Sequence, residues 1–380
     1  MSLVNLQQPK RIVFGAGALP QAADIADLGV RRALIVTSTP IVPLAQPLVE
    51  ALESRGVTVT VYGGVDTEPS VSVFEAVLDV ARSAQPDAVV GIGGGSPLDT
   101  AKAVAALHDS EQGLRDVFGI GLLRGRRTHL VCLPTTAGTG SEVSPNAIFL
   151  DEADLLKKGV ISPFLVPDAA YVDPLLTHTV PAPVTAATGV DAMIHCLEAY
   201  TNKFAHPTVD LYALQGIRLI AAHLARAVKQ GDDAEAREKL ALGALYGGLC
   251  LGPVNTAAVH ALAYPLGGEF KVSHGVSTAL LLAPVTEFNI PAAPGRYADV
   301  ARAMGVNGGG SDEEVARRGL ERIMALNAEC GLPSRMSEVG VPEEALPRIV
   351  ESGMTVTRLL KNNPREVTAE DAERIYRAAL

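Results

Sequence analysis

The stretch Ala88-Val-Val-Gly-Ile-Gly-Gly-Gly-Ser-Pro-Leu-Asp-Thr-Ala-Lys102 decides the fold. Its first five residues are a short apolar run, the signature of a strand buried on both faces. Three consecutive glycines follow, permitting a tight turn and letting backbone N–H groups approach an anion with no Cβ in the way. Ser96 then reads as a helix N-cap, Pro97 as the first helical residue and Asp99 as the acid three positions after the cap. Strand, glycine turn and helix in this order aim a helix N-terminus, with its partial positive charge, at a phosphate.

Similar alternation surrounds this stretch. Ala33–Thr37, Val57–Tyr62 and His129–Leu133 read as further strands, and residues 44–55 and 71–84 carry helical spacing between them. Apolar strands separated by helices imply a parallel sheet covered on both sides. A second loop of small hydroxyl residues and glycine, Pro134-Thr-Thr-Ala-Gly-Thr-Gly-Ser-Glu-Val143, follows the His129–Leu133 strand and offers close-range donors to a ligand.

The pattern changes after the proline-containing stretch 177–189. Residues 184–200, 208–230 and 233–251 are Ala- and Leu-rich with helical spacing. The expected organisation is therefore an α/β Rossmann-like parallel-sheet domain over residues 1–181 and an all-α domain over 182–380. Chemistry is expected in the cleft between them.

Within the helical half, Asp191 and His195 lie four apart, one turn apart on one helix face. His260 falls in residues 243–268, a segment without Asp, Glu, Lys or Arg, and His274 follows a glycine-containing loop. Imidazoles in apolar surroundings require partners, either hydrogen-bonding or metallic. Three imidazoles with one carboxylate suit Fe²⁺ or Zn²⁺ and leave room for an exogenous oxygen; zinc competes well for such a set.

Composition excludes other classes. A net charge of −10 disfavours a nucleic-acid partner, whose binding draws on clustered Lys and Arg. The densest basic cluster, Arg124-Gly-Arg126-Arg127, reads as a solvated loop. Proline, asparagine and histidine interrupt the uncharged 243–268 segment, which reads as a buried helix and not a bilayer span. Cys132, Cys196, Cys250 and Cys330 form no C-x-x-C pair, and with no signal peptide visible the expected location is the cytoplasm.

Together, Gly93–Lys102, Pro134–Val143, Gly189–His195 and His260–Gly275 resemble the iron-containing (group III) alcohol dehydrogenases. So do Arg11–Gly17 and Asn363–Asp371, which extends the resemblance over nearly the whole chain. It implies hydride transfer between NAD or NADP and a small alcohol or aldehyde, in the two-domain dehydroquinate synthase-like fold, with a homodimer or larger assembly. It places the metal ligands on Asp191, His195, His260 and His274. It also puts the pyrophosphate on Gly94, Gly95 and Ser96, with Asp99, Thr135, Thr136, Thr139 and Lys158 lining the cofactor site.

Two departures from the family pattern stand out. Where many members carry an acid after the first Rossmann-like strand, this chain has Ser38, which opens NADP use. Where many have a second histidine four residues after the third ligand, it has Tyr264, so proton relay or substrate contact beside His260 and His274 falls to a phenol, which still donates a hydrogen bond. Competing readings are a glycerol-dehydrogenase-like zinc enzyme, a dehydroquinate-synthase-like lyase and a non-catalytic dinucleotide sensor. The lyase expects a Glu and two histidines as ligands, with basic residues for a substrate phosphate.

Overall fold

A computed structural model describes residues 3–153 and 156–380. They divide into two compact units, residues 6–178 in one, and residues 3–5 with 179–380 in the other.

The first unit carries a six-stranded sheet, with all its pairings parallel. Its strands are β1 (Arg11–Phe14), β2 (Arg32–Val36), β3 (Thr58–Tyr62), β4 (Ala88–Gly93), β6 (His129–Pro134) and β9 (Ala169–Val172), in the order β1-β9-β6-β4-β2-β3. A smaller sheet has the order β5-β8-β7, built from Gly119–Ile120 (β5), Asn146–Asp151 (β7) and Leu156–Ile161 (β8). The helices are α1 (Val42–Glu53), α2 (Val71–Ala84) and α3 (Gly95–Leu107).

Strand periodicity explains the two cores. Leu34, Val36, Val89, Leu130 and Cys132 point to one face, into a cluster with Phe74, Val77, Leu98 and Val104 of α2 and α3. Ala33, Ile35, Val90, Ile92, Val131 and Leu133 point to the other, against Leu48 and Leu52 of α1. Both faces being covered, central strands are apolar at every position. The chain steps from β2 out to β3, then returns to β4 and continues through β6 to β9, so its progression reverses between β2 and β4. Ligands of open parallel sheets bind beyond the strand carboxyl ends near such a reversal.

The second unit is helical: α4 (Ala182–Thr201), α5 (Pro207–Lys229), α6 (Ala234–Leu251), α7 (Ala258–Phe270), α8 (His274–Asn289), α9 (Pro294–Ala303), α10 (Asp312–Glu329), α11 (Leu346–Met354), α12 (Thr357–Leu360) and α13 (Ala369–Ala379). α4 is buried on nearly every side from Thr185 to Thr201. It packs on α5, α6 and α8. A helix enclosed in this way holds its polar side chains in fixed surroundings, and each needs a partner.

Two local expectations are corrected. α3 begins at Gly95 with Gly94 as its N-cap, so Ser96 is inside the first turn and caps nothing. Gly94 takes extended backbone angles that start the helix two residues early, and the Asp99 carboxylate is drawn away to Ser141 and the Ile148 N–H, 2.8 Å away. The basic cluster is not uniformly solvated either. Arg126 is largely covered, pairs with Asp168 at 2.6 Å and donates to the carbonyls of Phe164 and Val166. The four cysteines are unpaired buried thiols. Among the described residues no helix is long and apolar enough to cross a membrane.

Candidate active site

In the sheet unit, the two ligand-type loops leave neighbouring strands. β4 and β6 pair through to Gly93 and Pro134, and the Thr135 N–H donates to the Gly93 carbonyl at 2.9 Å. The loop after β6 therefore lies on the glycine turn. A Cβ on Gly95 would stand 2.8 Å from Thr139 Cγ2, too close without movement, and one on Gly94 would touch Thr136 at 3.5 Å. Gly94, Gly95, Ser96, Thr136 and Thr139 are half-buried, whereas Thr135 is fully buried. Backbone donors and hydroxyls thus share one small surface at the N-terminus of α3.

Beneath it lies a buried charge network. Lys102 Nζ donates to the Ser141 carbonyl at 2.9 Å and to Ser141 Oγ at 3.0 Å, with the Asn146 carbonyl as a further acceptor. Burial pushes the Lys102 ammonium down and the Asp99 carboxyl up, and each partly offsets the other. Burial also pushes Glu142 up, to about 7, against its own backbone hydrogen bond and the pull of Lys102. Asp99 thus braces α3 against β7 and the second loop. Lys158 lies on β8, paired with Asp151 at 2.9 Å and 5.7 Å from the Phe118 ring centroid. Ser38 follows β2, half-buried, beside Thr39, whose N–H and hydroxyl both donate to Asp66 at 2.7 Å.

The helical unit brings the other set together. Asp191, His195 and His260 are buried, and one ligand atom from each lies within 4.8 Å of the others. The Asp191 carboxylate is 3.7 Å from His195 Nε2, 3.4 Å from His260 Nε2 and 3.5 Å from His274 Nε2. His274 stands outside the 4.8 Å group and is the more open member, its side chain 32% exposed. The His195 and His260 rings stack at 4.9 Å, and the His274 ring tilts against His260 at 5.3 Å.

Glu198, one turn beyond His195 on α4, was not singled out from sequence. Its Oε2 accepts from His260 Nδ1 at 2.6 Å, and its Oε1 accepts the Val259 N–H at 2.6 Å. One carboxylate therefore satisfies an orphan donor at the start of α7 and fixes the His260 ring. Thr278 Oγ1, on α8, donates to Asp191 Oδ1 at 3.1 Å. The spacing Asp191, His195, Glu198 is the signal that was available: i, i+4 and i+7 on one helix face.

These contacts define what the group can hold. With its Nδ1–H given to Glu198, neutral His260 presents a lone pair at Nε2, which is buried and makes no hydrogen bond. It faces a carboxylate oxygen, itself only an acceptor. Acceptors converging in this way need a shared proton or cation between them. Burial disfavours a charged His260, yet Asp191 and Glu198 outweigh it and push its pKa up to about 9. Burial likewise opposes ionised Asp191, but His274, His195 and His260 hold its carboxyl far below the usual range. The donor set, one carboxylate oxygen with imidazole nitrogens, fits a divalent transition metal.

Comparisons with known proteins follow the same division. Residues 9–174 match the family model "Iron-containing alcohol dehydrogenase", and residues 185–380 match "Fe-containing alcohol dehydrogenase family, C-terminal". The chain belongs to the iron-containing alcohol dehydrogenase family. It is 37% identical to long-chain-alcohol dehydrogenase 1 of Geobacillus thermodenitrificans, over 100% of this chain and 97% of that one. The NAD-dependent methanol dehydrogenase of Bacillus methanolicus is 32% identical, covering 100% of both. The crystal structure of a 1,3-propanediol oxidoreductase superposes with a TM-score of 0.97 at 33% identity, covering 100% of both chains. Like its family, the chain is an oxidoreductase acting on CH–OH groups, a metal-dependent alcohol dehydrogenase or aldehyde reductase.

Tyr264 lies one turn after His260 and is half-buried, its ring 6.3 Å from that of His274. Its hydroxyl accepts from Arg358 Nη2 at 2.9 Å. Arg358, on α12, is a second residue that sequence reading passed over.

Proposed function

We propose that this dehydrogenase holds one divalent cation, Fe²⁺ with Zn²⁺ as its competitor, on Asp191, His195, His260 and His274. NAD or NADP binds on the glycine turn of the sheet unit. The lone pair of His260 Nε2, buried without a hydrogen bond against Asp191, carries the reading. When bound, the cation supplies Lewis acidity toward an alcohol or carbonyl oxygen, and the nicotinamide gives or takes the hydride.

The chain's own residues do the rest. Gly94, Gly95 and Ser96 offer the N-terminus of α3 to the pyrophosphate, with Thr135, Thr136 and Thr139 beside them and Asp99 bracing the helix. Lys158 completes the cofactor surface. Glu198 orients His260, and Thr278 orients Asp191. Tyr264, on the more open side with His274, contacts substrate. Ser38 puts no negative charge where a 2′-phosphate would sit, which supports use of NADP as well as NAD. The resemblance supports an assembly of two or more copies, and four unpaired buried thiols are in keeping with a cytoplasmic location.

The decisive experiment is His260→Ala. It is expected to abolish metal content and aldehyde reduction while dinucleotide binding, followed by NADH fluorescence, persists. Unchanged turnover in this variant would overturn the reading.

A further inference from the structure

Arg358 has unused donors beside the candidate metal site. A guanidinium carries five N–H donors. Among the described residues its one side-chain hydrogen bond is to the Tyr264 hydroxyl, at 2.9 Å, and no carboxylate pairs with it. Other arginines of this region are tied down. Arg348 pairs with Glu269 at 2.6 Å, Arg365 donates to the Phe288 carbonyl at 3.0 Å, and Arg374 pairs with Asp371. Arg358 is also half-buried, which makes an uncompensated charge more costly than at the surface.

Its setting gives the charge a direction. Asp191, His195 and His260 are enclosed, whereas His274, Tyr264 and Arg358 are each partly open. The guanidinium carbon stands 5.8 Å from the Tyr264 ring centroid, and that ring is 6.3 Å from His274. The open side of the metal group is thus lined by a phenol and then by a cation. The Tyr264 oxygen already accepts from Arg358, and its own proton has no acceptor among the described residues. Phenol and guanidinium together present several donors and no negative charge.

We infer that Arg358, with Tyr264, reads an anionic group at the far end of the substrate, so that the preferred substrates are short aldehydes bearing a terminal carboxylate, or the corresponding ω-hydroxy acids. A planar guanidinium matches a carboxylate through two parallel N–H···O bonds, which a neutral alcohol end cannot reproduce. The reaction is the family's own: hydride from reduced nicotinamide and a proton from solvent convert the aldehyde to a primary alcohol, leaving the carboxylate unchanged and the dinucleotide oxidised. The inference rests on the proposed metal site, because His274 fixes which end of the substrate reacts.

The test compares 4-oxobutanoate with butanal, equal in carbon count, as substrates of the metal-loaded enzyme. The unmodified enzyme is expected to favour 4-oxobutanoate in kcat/KM, and Arg358→Gln to lower that preference roughly 10- to 100-fold. Arg358→Lys, keeping charge without the planar fork, restores part of it. A preference within twofold of the unmodified enzyme in Arg358→Gln, or none to begin with, overturns the inference. Succinate binding, measured by calorimetry, separates this outcome from failure of the metal-site reading. Should neither aldehyde turn over, succinate binding that vanishes in Arg358→Gln still supports the anion site, and absence of binding to the unmodified protein overturns it.

Discussion

His260 Nδ1 and Glu198 Oε2 are 2.6 Å apart, joining the first turn of α7 to a carboxylate 62 residues earlier in the chain. This contact selects the tautomer that presents Nε2 to Asp191. It also raises the basicity of that nitrogen, as carboxylates behind metal-ligating histidines do. The other Glu198 oxygen is engaged by the Val259 N–H, so both must remain acceptors. Glu198→Gln turns one of the two atoms into a donor. Metal affinity is expected to fall about 10- to 100-fold, with helicity retained. Chelator competition followed by elemental analysis checks this; an unchanged affinity would show that Glu198 serves only to cap α7.

A different dependence arises under the glycine turn. The folded state raises the Glu142 pKa from 4.5 to about 7, mainly through burial. The folded protein therefore binds more protons than the unfolded chain in this window. The stability that protonated Glu142 contributes is fully present below 4.5 and is lost as pH rises through about 7. Glu142→Gln removes the dependence. It should gain stability relative to the unmodified protein as pH rises, by about 1–3 kcal/mol at about pH 8. Urea unfolding at both ends of the window measures it, and parallel pH profiles for the two proteins would exclude the effect.

Much of this was legible in the sequence, for physical reasons. Central strands buried on both faces must be apolar throughout, so β2, β4 and β6 appear as unbroken runs, and α4 to α6 as long helical patterns. The β1–β9 edge pair did not stand out, since β1 is short and half-exposed. Nor did β7, whose burial alternates residue by residue behind a polar loop. The start of α3 was misplaced because an extended glycine makes an N-cap without any side-chain signal. Asp191, His195 and His260 were readable because charge and imidazole are conspicuous in apolar helices. Glu198 and Arg358 were not, because their meaning lies in partners 62 and 94 residues away.

Close packing supplies a third prediction. A Cβ on Gly275, the residue after His274, would lie 2.4 Å from the Ala187 carbonyl oxygen and 2.6 Å from its carbon. Both atoms are backbone of α4, which cannot swing aside as a side chain can. Gly275→Ala must therefore separate α8 from α4, at about 1–3 kcal/mol. The same shift moves His274 away from Asp191. Thermal unfolding should show the lost stability, and metal titration a weakened site. A variant equal to the unmodified protein in both would mean that α8 tolerates the displacement.

The reading proposed for Ser38 makes cofactor choice turn on this position. It stands at the end of β2, two residues past Val36, beside Thr39, which is held by Asp66 through two hydrogen bonds. Both Asp66 oxygens are engaged by Thr39, so that carboxylate maintains the turn. An acid at position 38 could accept from both ribose hydroxyls of NAD and would repel the 2′-phosphate of NADP. The unmodified enzyme is thus expected to reduce aldehydes with either NADH or NADPH. Ser38→Asp should lose NADPH-linked kcat/KM by about tenfold or more, equivalent to at least about 1.4 kcal/mol, while NADH-linked activity is retained. Initial rates with both nucleotides at fixed aldehyde measure the ratio. If the unmodified enzyme already excludes NADPH, the discrimination comes from other residues and the role given to Ser38 is wrong.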